Sequence, residues 1–124
     1  MKNLPPEVQK TVVEQSQGAK IRGFSKEIEQ GKTFYEVELF VNGHTKDVLM
    51  DPSGAVVAIE EQVELAALPP AVKSAIEKHA GKRRILLVES VIKDGAVAYY
   101  EAHIKNRLRI SEFKVGPDGQ PAGK

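Results

Sequence analysis

Apolar residues recur along this chain at two spacings, and stretches of the two kinds alternate. Leu4, Val8 and Val12 stand four apart, with Thr11 and Gln15 beside them. The same helical stripe returns at Leu68, Val72, Ala75, Ile76 and His79. Each stripe carries a Pro-Pro pair at its start, and proline suits the first turn of a helix, where its missing N–H would have no partner anyway. The spacing predicts helices over about 6–17 and 70–80, with Gly18 and Gly81 as stop signals. Both stripes are narrow, so each helix must lie on something.

A β pattern follows each glycine, over 20–29 and again over 84–93. Gln30-Gly31 and Asp94-Gly95 read as hairpin turns. The next strand places Tyr35, Val37, Leu39 and Val41 on one face and Glu36, Glu38 and Phe40 on the other. Alternation of this kind marks a half-buried antiparallel strand. Its later counterpart has Tyr100, Ala102 and Ile104 inward, with Glu101, His103 and Lys105 outward. Asn42-Gly43 predicts a further hairpin, matched in position by Arg107-Leu108. Third strands are expected over 44–51 and 107–115, the latter with a bulge near Ser111-Glu112, because Leu108 and Ile110 are out of phase with Phe113 and Val115. A fourth strand is expected only in the first half, over 55–61, and the tail 120–124 is expected to fray.

These stretches repeat in order. Leu4-Pro5-Pro6-Glu7-Val8 returns as Leu68-Pro69-Pro70-Ala71-Val72, and Gly31 answers to Gly95. One inserted residue later, Tyr35-Glu36 answers to Tyr100-Glu101, and Pro52 and Gly54 answer to Pro117 and Gly119. The expectation is an α+β protein of two tandem repeats, 1–64 and 65–124, each an N-terminal helix on a three- or four-stranded antiparallel meander. A unit of roughly 60 residues is marginal alone, so the copies are expected to share an interface, their sheets joined edge to edge or packed.

The residues Leu4-Pro5, Val8, Gly31, Tyr35-Glu36-Val37, Asn42-Gly43 and Asp51 to Gly54 carry a resemblance, as do Leu68-Pro69, Val72, Gly95, Tyr100-Glu101 and Pro117 to Gly119. In this order and spacing they resemble the bacterial PepSY-like domains, including the tandem β-lactamase-inhibitor-protein-like group. The resemblance implies a helix on an antiparallel sheet, a periplasmic or secreted location, and binding or inhibition in place of catalysis. It offers no catalytic residues. The second half departs from it, lacking the Asn-Gly hairpin and the final strand and placing Gly116 where the first has Asp51. The aromatic-rich concave sheet of the β-lactamase inhibitors has no counterpart in the sequence, so inhibition of that enzyme is not implied.

Composition narrows the classes further. A hydrophobic content of 41% suits a globular chain and argues against disorder. No run approaches the roughly 18 apolar residues of a membrane-spanning helix, so no membrane insertion is expected. The absence of cysteine removes disulfides and thiolate metal sites but leaves the compartment open. Met1-Lys2-Asn3 is too short and polar for a secretory signal, which leaves a cytoplasmic protein or one whose signal was removed. The net charge of +1 hides an asymmetry: residues 1–64 carry 7 Lys/Arg against 11 Asp/Glu, residues 65–124 carry 11 against 6.

Reactive chemistry finds little support. His44, His79 and His103 form no His-x-x-x-His pair and have no partner at zinc-finger or metalloprotease spacing, so no metal site and no cofactor are expected. No serine has nucleophile-elbow glycines around it, and Gly18, Gly23 and Gly31 do not make a phosphate loop. The cluster Lys82-Arg83-Arg84 lacks the interleaved aromatics of a single-strand binder, and no nucleic-acid partner is expected.

What remains is the outward face. Phe34, Glu36, Glu38 and Phe40 align with Tyr99, Glu101, His103 and Lys105, two ribbons of aromatic and charged side chains. Aromatic anchors ringed by polar groups are what protein interfaces favour. Together with the export and the bacterial origin that the resemblance implies, these ribbons point to a non-enzymatic, exported bacterial binding protein, inhibitory in one version, that meets a protein or peptide through these eight residues and the loops. The alternative is a small-molecule sensor with a pocket between the repeats.

Overall fold

A computed structural model describes residues 3–122. Helix α1 spans Pro6–Gln15 and is followed by strands β1 (Lys20–Glu29), β2 (Lys32–Val41), β3 (His44–Met50) and β4 (Val56–Val63). A short 3-10 turn at Leu65–Ala67 leads to α2 (Pro70–Ala80), and β5 (Arg84–Lys93), β6 (Ala96–Asn106) and β7 (Arg109–Val115) complete the order. The strands form a seven-stranded sheet in the order β1-β2-β3-β4-β5-β6-β7. This corrects the expected fold class. The chain is mostly β, one antiparallel sheet with two helices, and not two tandem helix-plus-meander repeats. The sequence repeat reports the local pattern around each helix, and such a pattern carries no information about where a ladder of strands stops. The helices are also minor by weight, ten and eleven residues against seven strands of seven to eleven.

Two compact units are recognisable, Met1–Glu61 and Gln62–Lys124. In the first, Val8 and Val12 of α1 bury against Val37, Leu39, Val48 and Met50, with Leu4, Ala19, Tyr35 and Ile59 at the margin. Pairing of β2 with β3 runs without interruption from Tyr35↔Met50 to Val41↔His44, which sends Phe34, Glu36, Glu38 and Phe40 to the face away from the helix. The Asp51–Gly54 turn folds back onto α1, where Thr11 Oγ1 donates to the Gly54 carbonyl at 2.6 Å. Gly54 has φ +87, and a Cβ there would overlap the Glu7 carbonyl.

In the second unit, Val72, Ile76 and Ala80 of α2 bury with Leu68, Val88, Ala102, Ile104 and Val115. Helix α2 ends at Gly81, whose φ of +58 with ψ −121 is a conformation open to glycine and not to residues with a side chain. Arg83 donates from Nε to the Ala80 carbonyl at 3.1 Å and from a guanidinium nitrogen to the His79 carbonyl. A member of the basic cluster thus caps a helix C-terminus, where a cation complements the dipole. His79 is exposed, its ring stacked at 3.9 Å on Phe113.

Three local expectations change. The 107–115 strand begins later, because Arg107 and Leu108 form the turn, Arg107 with φ 58 and Leu108 fully exposed. No bulge interrupts β7: pairing runs evenly from Asn106↔Arg109 to Tyr100↔Val115, and Ile110, 61% exposed, lies on the outer face. The tail is held as far as it is described, with Pro121 bridging to Val115 and Ala122 N–H donating to the Lys114 carbonyl at 2.9 Å. Gly123 and Lys124 of the expected frayed tail, and Met1 and Lys2 at the other end, lie outside the described residues.

Candidate functional site

The eight residues singled out from the sequence occupy the sheet face turned away from the helix of their own unit, and they differ in access. Glu38 and Lys105 are exposed; Phe34, Glu36, Phe40, Tyr99 and His103 are half-buried; Glu101 is buried, at 9% exposure. On β2, Phe34 lines a depression of about 390 Å³ with Lys32, Thr33, Asp51, Pro52 and Val57. Glu36 and Glu38 line a smaller one of about 160 Å³ with Gly23, Phe24 and Ser25. Ser25 lies opposite Glu36 and bonds its Oε1 at 3.1 Å. Phe40 carries the Arg22 guanidinium 4.0 Å above its ring, a cation–π contact.

The β6 residues sit in a denser charged patch. Tyr99 has two ammonium groups near its ring, Lys114 at 5.0 Å and Lys93 at 5.7 Å. Glu101 and His103 are two apart on one face, with Glu89 of β5 opposite Glu101, and Lys114 and Glu112 of β7 opposite Glu101 and His103. His103 Nε2 lies 3.2 Å from Glu89 Oε1 and 3.3 Å from Glu101 Oε1, while Nδ1 lies 3.9 Å from Glu112 Oε2. Lys114 Nζ is 3.9 Å from Glu101 Oε2. Loss of hydration pushes the Glu101 carboxyl above its ordinary range, and the nearby Glu112 and Glu89 add to this, against the pull of His103 and Lys114.

The reading along the chain brought Glu101 and His103 together but missed Glu89, Glu112 and Lys114, which are their cross-strand neighbours. In the first unit it likewise missed Asp47 and Glu60, whose carboxylate oxygens lie within 4.8 Å of one another and of Glu36. The signal for Glu112, Lys114 and Asp47 was present, since counting outward from Arg107-Leu108 and Asn42-Gly43 gives their partners. His44 pairs elsewhere, with Nε2 2.7 Å from Glu61 Oε2.

No described helix is long and apolar enough to cross a membrane. No protein-family model matches the chain, and no curated protein matches its sequence. Solved structures do share the fold. A DUF2874 family protein from Bacteroides ovatus superposes with a TM-score of 0.74 at 21% identity, over 97% of this chain and 85% of that one. A protein from Bacteroides eggerthii, described provisionally as periplasmic, gives 0.78 at 16% identity, over 95% and 85%. A BLIP-like protein from Bacteroides fragilis gives 0.71 at 15% identity, over 97% and 84%. At such identities the likeness is one of fold: this chain folds like a BLIP-like protein and like members of the DUF2874 family.

Proposed function

We propose that the chain is a non-catalytic periplasmic binding protein of the PepSY-like kind, which captures a protein or peptide through the sheet face turned away from the helix of each unit and through its loops. The observation that carries this reading is the setting of the aromatics. Phe34 and Phe40 in the first unit and Tyr99 in the second stand half-buried on the face away from the helix of their own unit, two of them beside cationic side chains, amid carboxylates. Half-buried rings offer apolar area at low entropic cost, and a charged surround sets orientation and partner choice. The fold shared with a BLIP-like protein and with a provisionally periplasmic one supports both the binding role and the compartment. Inhibition of an enzyme is one form that such capture takes.

The test is affinity capture from the periplasm and the cytosol of the host bacterium, with Phe34→Ala, Phe40→Ala and Tyr99→Ala run beside the native chain. The expected outcome is a periplasmic partner, lost in the variants while circular dichroism stays native. Variants that capture normally remove the face from consideration, and variants that unfold assign these rings to the core.

A further inference from the structure

The sheet gathers Glu89, Glu101 and His103 so that one possible ligand atom from each lies close to the other two. All three ligand-type atoms lie within 4.8 Å of one another, and His103 Nε2 stands 3.2 and 3.3 Å from the two carboxylate oxygens. In a tetrahedral zinc site with bonds of about 2.0–2.1 Å, neighbouring ligand atoms are about 3.3–3.4 Å apart by geometry alone. Both nitrogen–oxygen separations match that edge. A neutral imidazole has a single Nε2 proton to divide between two carboxylates, whereas a cation at the centre meets both at once.

The surroundings agree with this reading. Glu112 Oε2 lies 3.9 Å from Nδ1, the other ring nitrogen. That is an ion-pair distance, too long for a hydrogen bond; metal-bound histidines characteristically donate the second N–H to a carboxylate, and Glu112 is the carboxylate placed on that side of the ring. Lys114 approaches Oε2 of Glu101, which leaves Oε1 to the centre. Three carboxylates nevertheless face one imidazole and one ammonium, an imbalance that a divalent cation removes. His103 is half-buried, so water can complete the coordination.

We infer that Glu89, Glu101 and His103 form a binding site for a divalent transition ion of the zinc type. The imidazole donor selects zinc, copper or nickel over calcium and magnesium, which prefer all-oxygen shells. Glu36, Asp47 and Glu60 form such an all-oxygen group in the first unit, and each has other interactions. Spacing along the chain gave no hint of the second-unit site, because Glu89 reaches it from the neighbouring strand. The inference does not rest on partner capture, since metal binding is measured on the chain alone.

The experiment is calorimetric titration of the untagged, chelator-treated full chain with Zn²⁺ and, separately, Ca²⁺, beside the imidazole NMR signals of the three histidines. One equivalent of Zn²⁺ is expected to bind, shifting the His103 signals and leaving those of His44 and His79 in place. Glu89→Gln, Glu101→Gln and His103→Gln are each expected to weaken binding at least about tenfold, the lower end of what losing even an outer-shell partner costs. His44→Gln, which touches the separate Glu61 pair, is expected to bind as the native chain does. Absence of Zn²⁺ binding, Ca²⁺ binding of equal strength, or a native His103 signal that ignores Zn²⁺ overturns the inference. The signal on the native chain reads the site even if the buried Glu101 substitution disturbs folding.

Discussion

The hydroxyl of Thr11 donates to the carbonyl oxygen of Gly54 across 2.6 Å, tying the middle of α1 to a turn 43 residues further on. The same turn leaves no room for a side chain. A Cβ on Gly54 would lie 2.9 Å from the Glu7 carbonyl carbon and 3.0 Å from Thr11 Oγ1. Thr11→Val keeps the shape of the side chain and leaves the Gly54 carbonyl without that donor, at an expected cost of about 1–3 kcal/mol. Gly54→Ala is expected to cost more than Gly31→Ala. Both carry left-handed strain of about 1–2 kcal/mol, at φ +87 and +77, but Gly31 faces open space. Urea unfolding of the three variants measures this, and equal losses at the two glycines would refute the docking of the turn on the helix.

Asp51 Oδ1 accepts from the Ser53 hydroxyl at 2.5 Å and from the backbone N–H of Ser53 and Ala55 at 2.9 and 3.1 Å. The Ser53 hydroxyl is the largest cause holding the Asp51 carboxyl below its ordinary value, with the two backbone donors adding to it. A lowered folded pKa means that the folded state binds the proton less readily than the unfolded chain does. The associated stability is present above the ordinary carboxylate value and is lost as pH falls through the lowered one. Ser53→Ala is expected to move the Asp51 titration upward, towards that of an unassisted aspartate. Carbon-detected NMR titration of the carboxyl reads the shift directly.

Arg22 and Phe40 form a surface pair worth about 0.5–1 kcal/mol, the usual range for an exposed cation–π contact. A double-mutant cycle with Arg22→Ala and Phe40→Leu isolates the coupling from the effects of each truncation. A coupling near zero would mean that Arg22 is free to turn towards a partner at no cost.

Arg107 holds φ 58 in the last hairpin, a conformation that costs a residue with a side chain about 1–2 kcal/mol. Glycine removes that strain and returns roughly 0.5–1 kcal/mol of it as backbone entropy. Arg107→Gly is therefore expected to stabilise the chain by up to about 1 kcal/mol. A raised thermal midpoint is the readout, and a lowered one would show that the arginine side chain makes a compensating contact.

Much of the fold was legible because turns and alternation are local signals. β1 and β5 occupy the spans that the pattern indicates, and both helices begin at the second proline of their pairs. The continuity of the sheet was only one of two alternatives, edge to edge or packed, since a link without a tight hairpin leaves no local mark of pairing. The candidate site shows the same division at the level of single residues. Counting outward from Arg107-Leu108 places Lys114 opposite Glu101 and Glu112 opposite His103, as observed. Counting outward from Asp94-Gly95 places Val88 opposite Glu101, one residue away from the true partner Glu89. The register shift between Val91 and Ile92 makes the difference, and a one-residue slip moves every side chain to the other face. That single irregularity hid the third member of the proposed metal site.

The turns have a further consequence, for how quickly the chain folds. Ladders β1–β2, β2–β3, β5–β6 and β6–β7 each close over two residues, at 30–31, 42–43, 94–95 and 107–108. Such hairpins form in about 1–10 μs and lose little loop entropy. Pairs within such hairpins are close in sequence, and contacts of that kind go with faster folding than distant ones do. In the first unit the longest closure belongs to the seating of α1 on strands made later in the sequence, the bond from Thr11 to Gly54 spanning 43 residues.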